Sequence, residues 1–101
     1  MIVYNVTTKV DHAIANDWLI WLQEIHIPEI ISTGCFSHAP IFQLLETDEA
    51  GGLTYTVQYH TESMSLYNTY IHEHSRVMRQ KALDKWGSDC TAFHSIMQVV
   101  H

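Results

Sequence analysis

A chain of 101 residues, 47% hydrophobic and only 16% charged, has the length for one domain, residues 1–101, built on one core. Five Lys and Arg against eleven Asp and Glu give a formal net charge of −6, with no basic run. That balance argues against nucleic acid or an anionic membrane surface as partner, since both require cationic surface.

The charge fraction falls well below the usual value of about 25%, which predicts that part of the surface is covered by another subunit. No apolar run approaches the ~20 residues of a membrane span. Met1 leads into a strand-like segment rather than a leader, so the expected location is cytoplasmic. Cys35 and Cys90 lack CxxC spacing and read as free thiols.

Ile2 to Val10 alternates, with Ile2, Tyr4, Val6, Thr8 and Val10 on one side and Val3, Asn5, Thr7 and Lys9 on the other. This predicts a first strand. Asp11 to Gly34 follows as an amphipathic helix. At about 100° per residue, Ile14, Trp18, Leu19, Trp21, Leu22, Ile25 and His26 share a sector opposite Asp17, Gln23 and Glu24. Asp11 is placed to cap this helix, Pro28 to kink or restart it, and Gly34 to end it.

Cys35 to Thr47 reads as a second strand, with Pro40 marking a bulge or an edge. A turn of Asp48, Glu49, Ala50, Gly51 and Gly52 joins it as a hairpin to a third alternating strand, Leu53 to His60. Ser63 opens and Gly87 closes a second helix, Met64 to Trp86. Its apolar sector holds Tyr67, Tyr70, Ile71, Val77 and Met78 with His74 near the middle, while Arg76, Arg79 and Gln80 face away. A final strand runs from about Asp89 to Val100.

The order strand, helix, strand, strand, helix, strand is an α+β, ferredoxin-like βαββαβ sandwich, a four-stranded antiparallel sheet with two helices on one face. The open face, Asn5, Thr7, Thr54, Thr56 and Gln58 with Lys9 at its margin, is polar yet nearly uncharged. A solvated face would carry more charge, which predicts a homodimer formed through this face. With the second and fourth strands outermost, Cys35 and Cys90 start opposite edges, too far apart for a disulfide.

Four segments carry a family resemblance: IVYNVT, DWLIWLQEIHIPEIISTGCF, GGLTYTVQY and FHSIMQVV. With the spacing W-x-x-W-x-x-x-x-H-I-P-x-x-x-x-T-G-x-F from Trp18 to Phe36, the chain resembles, over nearly its whole length, a family of small proteins of unknown function in the dimeric α+β barrel superfamily. The resemblance implies a fold and a dimer; the family supplies no substrate. The wider superfamily includes cofactor-free monooxygenases, haem-degrading enzymes, lactone isomerases and proteins without known catalysis.

Candidate chemistry lies between helices and sheet. His26, beside the Pro28 step, reads either as a general acid/base or ligand anchor, or as an imidazole satisfied by a carbonyl that the proline frees. His74 reads either as a partner of a nearby tyrosine hydroxyl or, with Asn5, as part of a haem pocket of the kind the superfamily implies. Tyr67 stands where that pattern wants a tryptophan, and its spacing to His74 fits poorly.

The ligand-binding set expected is Trp21, His26, Tyr55, Tyr67 and His74, and the catalytic candidates are His26, His74 and Asn5. Aromatics at these spacings are also ordinary core, yet tyrosines and histidines in one layer suit an amphipathic ligand. No metal site is expected. His72 and His74 point about 200° apart on a helix, His38 and His94 could meet only across a dimer, and His12, His60 and His101 read as solvated loop or terminal residues. No cofactor is required by any motif, and haem is a minor alternative.

The reading is a protein that binds a small aromatic or amphipathic ligand. The alternatives are a monooxygenase or isomerase, cofactor-free or haem-dependent, using a pocket histidine, and a non-catalytic interaction dimer.

Overall fold

The computed structural model describes residues 1–101. Strand β1, Ile2–Val10, lies inside a four-stranded antiparallel sheet of order β2-β3-β1-β4, with β2 Ile41–Gln43, β3 Leu53–Thr61 and β4 Cys90–Gln98. The central pair is set in register by its alternation, Tyr4 opposite Tyr59 and Val6 opposite Val57, while β4 sets His94 opposite Val6 and Ala92 opposite Thr8. Tyr4, Tyr55, Val57 and Tyr59 are buried on the side the helices cover, as the period of two requires. The ferredoxin-like plan is therefore present, with β2 and β4 at the edges. Cys35 and Cys90 are both free.

The β2–β3 turn requires glycine at one position. Gly52 has φ of +150°, and a Cβ there would sit 2.1 Å from the Val10 carbonyl oxygen. The second strand is shorter than the apolar run suggested. Cys35 to Pro40 forms irregular chain in which only His38 bridges to β3, opposite His60. Pro40 marks the point where regular pairing begins, and its carbonyl accepts from the Gln58 amide at 3.1 Å.

Both helices form, and both are interrupted. The first runs as α1, Ala15–Trp21, a π-helical turn, Leu22–His26, and α2, Ile27–Ser32. Asp11 does not cap α1: its carboxylate accepts from the Ala13 amide at 2.8 Å and so holds the entry turn, and the cap position falls to Ile14 without a side-chain bond. The helix restarts at the proline step, as expected: α2 begins at Ile27 with Pro28 in its first turn. The π turn immediately before it sends the Ile27 amide to the Leu22 carbonyl, and the proline enters at the start of α2, where its missing N–H removes no needed donor. The wider turn shifts the helical phase, which leaves Ile25 exposed although uniform rotation put it on the apolar face.

The second helix divides at His74 into α3, Met64–Glu73, and α4, Ser75–Trp86. Ser63 caps α3 by accepting from the Leu66 amide at 3.2 Å, and Gly87, at φ +60°, ends α4. At the division His74 leaves helical geometry, and the Ser75 hydroxyl donates to the Ile71 carbonyl at 2.8 Å, a back-bond of the kind that bends helices. Val77 is left exposed, and Arg79, also exposed, extends along the rim of the sheet side to reach Tyr4.

Candidate functional site

A cavity of about 280 Å³ lies between α1–α2, α4 and the β1–β4 half of the sheet. Small residues create the space: Ala82 on α4 and Ala92 on β4 line it, with Gly87 at the helix end. The exposed members of its lining, among them Arg79, Leu83 and Ala92, place the mouth along α4 and β4. Trp18, Trp21, Leu22 and Ile30 form the apolar wall on the first helix.

Two polar stations face this cavity. At the first, the His26 ring stacks on Trp21 with centroids 4.4 Å apart and planes 20° from parallel. Its Nδ1 is buried and has no hydrogen-bond partner, so no carbonyl freed at Pro28 satisfies it. Burial lowers its pKa to about 4, with the Lys81 charge acting in the same direction and Glu29 against it, so the imidazole is neutral near pH 7. An unpaired buried nitrogen is costly, so this ring is held by its stack on Trp21 and its packing rather than by a hydrogen bond to Nδ1.

The second station joins three residues far apart in the chain. The Tyr4 hydroxyl lies 2.6 Å from His94 Nδ1, and an Arg79 guanidinium nitrogen donates to the same hydroxyl at 3.3 Å. Tyr4 is buried among Phe36, Tyr59, Tyr67 and Tyr70, with ring centroids 5.6–6.1 Å away. Burial raises the Tyr4 pKa and lowers that of His94. Both are then neutral near pH 7, and the phenol donates to an Nδ1 that accepts. Tyr59 and Tyr70 are likewise raised by burial and keep their protons. Cys90, also in the lining, is held as a thiol by burial and by Asp89.

The residues singled out from sequence are not all brought together here. Trp21 and His26 line the cavity. Tyr55 packs on Trp18 at 5.5 Å, Tyr67 supports Tyr4 at 5.6 Å, and His74 sits half-buried at the α3–α4 division; none of the three lines the cavity. Asn5 lies on the other face of the sheet, where its amide nitrogen donates to Thr7 at 3.1 Å and its oxygen accepts from Thr56 at 2.6 Å. Asn5 and His74 are therefore separated by the sheet itself and cannot share a haem pocket.

Two further histidine readings are corrected. His60 belongs to β3 and stacks on His38 with centroids 4.2 Å apart, so it is not a solvated loop residue. His38 and His60 sit on the open side while His94 points to the helix side, which removes the pairing of His38 with His94 across a dimer.

His94 and Arg79 are the site residues that sequence reading missed. The period of two in β4, which puts His94 in line with Cys90 and Ala92, was the signal available for the first. No such signal existed for Arg79, whose contact with Tyr4, 75 positions away, is made only by tertiary packing.

The chain matches the domain of unknown function DUF4286 over residues 1–100. It belongs to the DUF4286 family. No curated protein sequence matches it. Among solved structures, this DUF4286 chain is similar to a dimeric ferredoxin-like protein from an uncultured marine organism, with a TM-score of 0.70 at 13% identity, covering 99% of this chain and 95% of that one. It is similar to SnoaB, a cofactor-independent oxygenase from Streptomyces nogalater, with a TM-score of 0.61 at 11% identity, covering 99% and 93%. A Streptomyces coelicolor monooxygenase in complex with the ligand Nanaomycin D gives a TM-score of 0.57 at 20% identity, covering 99% and 89%. These identities show a shared fold; no helix of the DUF4286 chain is long and apolar enough to cross a membrane.

Proposed function

We propose that this DUF4286 protein binds a small, ring-containing and mainly apolar molecule in its helix–sheet cavity. The observation that carries this reading is a cavity of about 280 Å³ whose wall is formed by the rings of Trp18, Trp21 and His26. A dry cavity of about 150 Å³ accepts benzene, so this space suits one or two fused rings. The test is a titration with naphthalene-type compounds, read by the fluorescence of Trp18 and Trp21 in the wall. A saturable change is expected in the wild type and its loss in Ala82→Phe, which fills the space. No saturable change in the wild type, or equal binding by the variant, overturns the reading.

A homodimer joined through the open sheet face accompanies this function. The three hydrogen bonds linking Asn5, Thr7 and Thr56 close on one another, so this polar patch can be buried without losing partners. Phe93, 67% exposed, and Phe42, 47% exposed, lie on the same face and gain from being covered. The marine ferredoxin-like protein of the same fold is itself dimeric.

A catalytic reading is favoured by the Tyr4–His94–Arg79 geometry. A bound enolisable carbonyl compound can pass its α proton to the Tyr4 oxygen as Tyr4 gives its own to His94 Nδ1, which leaves the enolate near the Arg79 charge. Such a step serves an isomerase or a cofactor-free oxygenase, the class to which SnoaB belongs. Solvent deuterium should then enter an enolisable ligand in the wild type and not in Tyr4→Phe. Equal exchange in both excludes the relay.

A further inference from the structure

Arg79 is the one lysine or arginine of the chain that lines the cavity. The protein has eleven acids and five Lys and Arg, and Lys81 is paired with Glu29 across α4 and α2. Arg79 makes no ion pair; its only side-chain hydrogen bond goes to the Tyr4 hydroxyl. The cavity it lines contains no Asp and no Glu, and its other ionisable groups are neutral tyrosines, histidines and a thiol. One fixed positive charge thus faces an otherwise uncharged, mostly apolar space.

The donor count points the same way. A guanidinium presents five N–H donors in a planar fork, and a single one is taken by Tyr4. The Tyr4 hydroxyl already donates to His94 and accepts from Arg79, which leaves the remaining guanidinium donors as the strongest hydrogen-bonding groups at the mouth. A planar carboxylate fits such a fork with two parallel bonds. The net charge of −6 does not oppose this at short range, because charges beyond about 8 Å are largely screened at physiological ionic strength.

Resting on the binding function above, we infer that the ligand is a ring carboxylate, its ring against the Trp18–Trp21 wall and its carboxylate on Arg79. The test compares naphthoate with its uncharged amide of the same shape, by tryptophan fluorescence at neutral pH and physiological ionic strength. The wild type should bind the acid about tenfold or more tightly than the amide, the ratio expected from a charge-assisted pair. Arg79→Gln should bring that ratio close to one, and Arg79→Lys should restore part of it. Equal or tighter binding of the amide by the wild type, or a preference that survives Arg79→Gln, overturns the anion assignment while leaving the cavity function standing. Binding of neither compound overturns both.

Discussion

The two faces of the sheet use the same strand in opposite ways. On the helix side β1 presents Tyr4, whose hydroxyl joins His94 and Arg79 beside a cavity. One residue along, on the open side, it presents Asn5, whose polar atoms are consumed by Thr7 and Thr56 in a closed set of three hydrogen bonds. The difference is one of spare capacity. Arg79 keeps unused donors at the cavity mouth, so the helix side offers bonds to a visitor. The open-side set directs its bonds to its own members, and such a surface is suited to being covered rather than to recognising a small molecule.

The sharpest way to break this comparison is to place a charge on the open face. Phe93→Asp lies on an exposed side chain and should cost an isolated chain little, roughly 0.5 kcal/mol or less. In a sheet-to-sheet dimer it buries an unpaired carboxylate on each side and should raise the dissociation constant at least about a hundredfold. Sedimentation across a concentration series reads this directly. A wild type that sediments as a single chain at micromolar concentration removes the dimer altogether.

The helix face is tested through His26. Its pKa in the folded protein is about 4, below the usual value of 6.5, so the unfolded chain takes up the proton first as pH falls. The stability contributed by this site is present above pH 6.5 and declines as pH drops toward 4, with a slope of up to about 1.4 kcal/mol per pH unit. Denaturant midpoints measured across that window should fall in the wild type and fall less in His26→Leu. Identical slopes would show that the imidazole is not held neutral by burial.

The smallest effect is expected at Asn5. Asn5→Ala opens the hydrogen-bonded set and should cost about 1 kcal/mol of stability, with no change in the affinity of a cavity ligand, because the sheet lies between them. A loss of ligand affinity in a folded Asn5→Ala protein would contradict the separation of the two faces.

Local chemistry made much of this architecture readable. Alternation through Ile2 to Val10, the Ser63 cap, and the glycines at 34 and 87 act within a few residues and required nothing distant to take effect. They define the elements, and the order of the elements defines the ferredoxin-like plan. Trp21 was legible as a cavity residue for the same reason, since it precedes the first change of helical phase.

What the sequence could not decide is everything downstream of a change in phase or dependent on a distant register. Helical phase accumulates, so the π turn at Leu22–His26 moves Ile25 outward against a uniform rotation of about 100° per residue, and the exposed Arg79 reaches Tyr4 at the cavity mouth only through the packing of α4 on the sheet. Tyr4 and His94 are 90 positions apart and meet only because β1 pairs with β4 in a particular register. Local propensity set which elements exist, whereas the packing of those elements decided which polar side chains share a cavity, because that outcome depends on rotations and pairings summed over the whole chain.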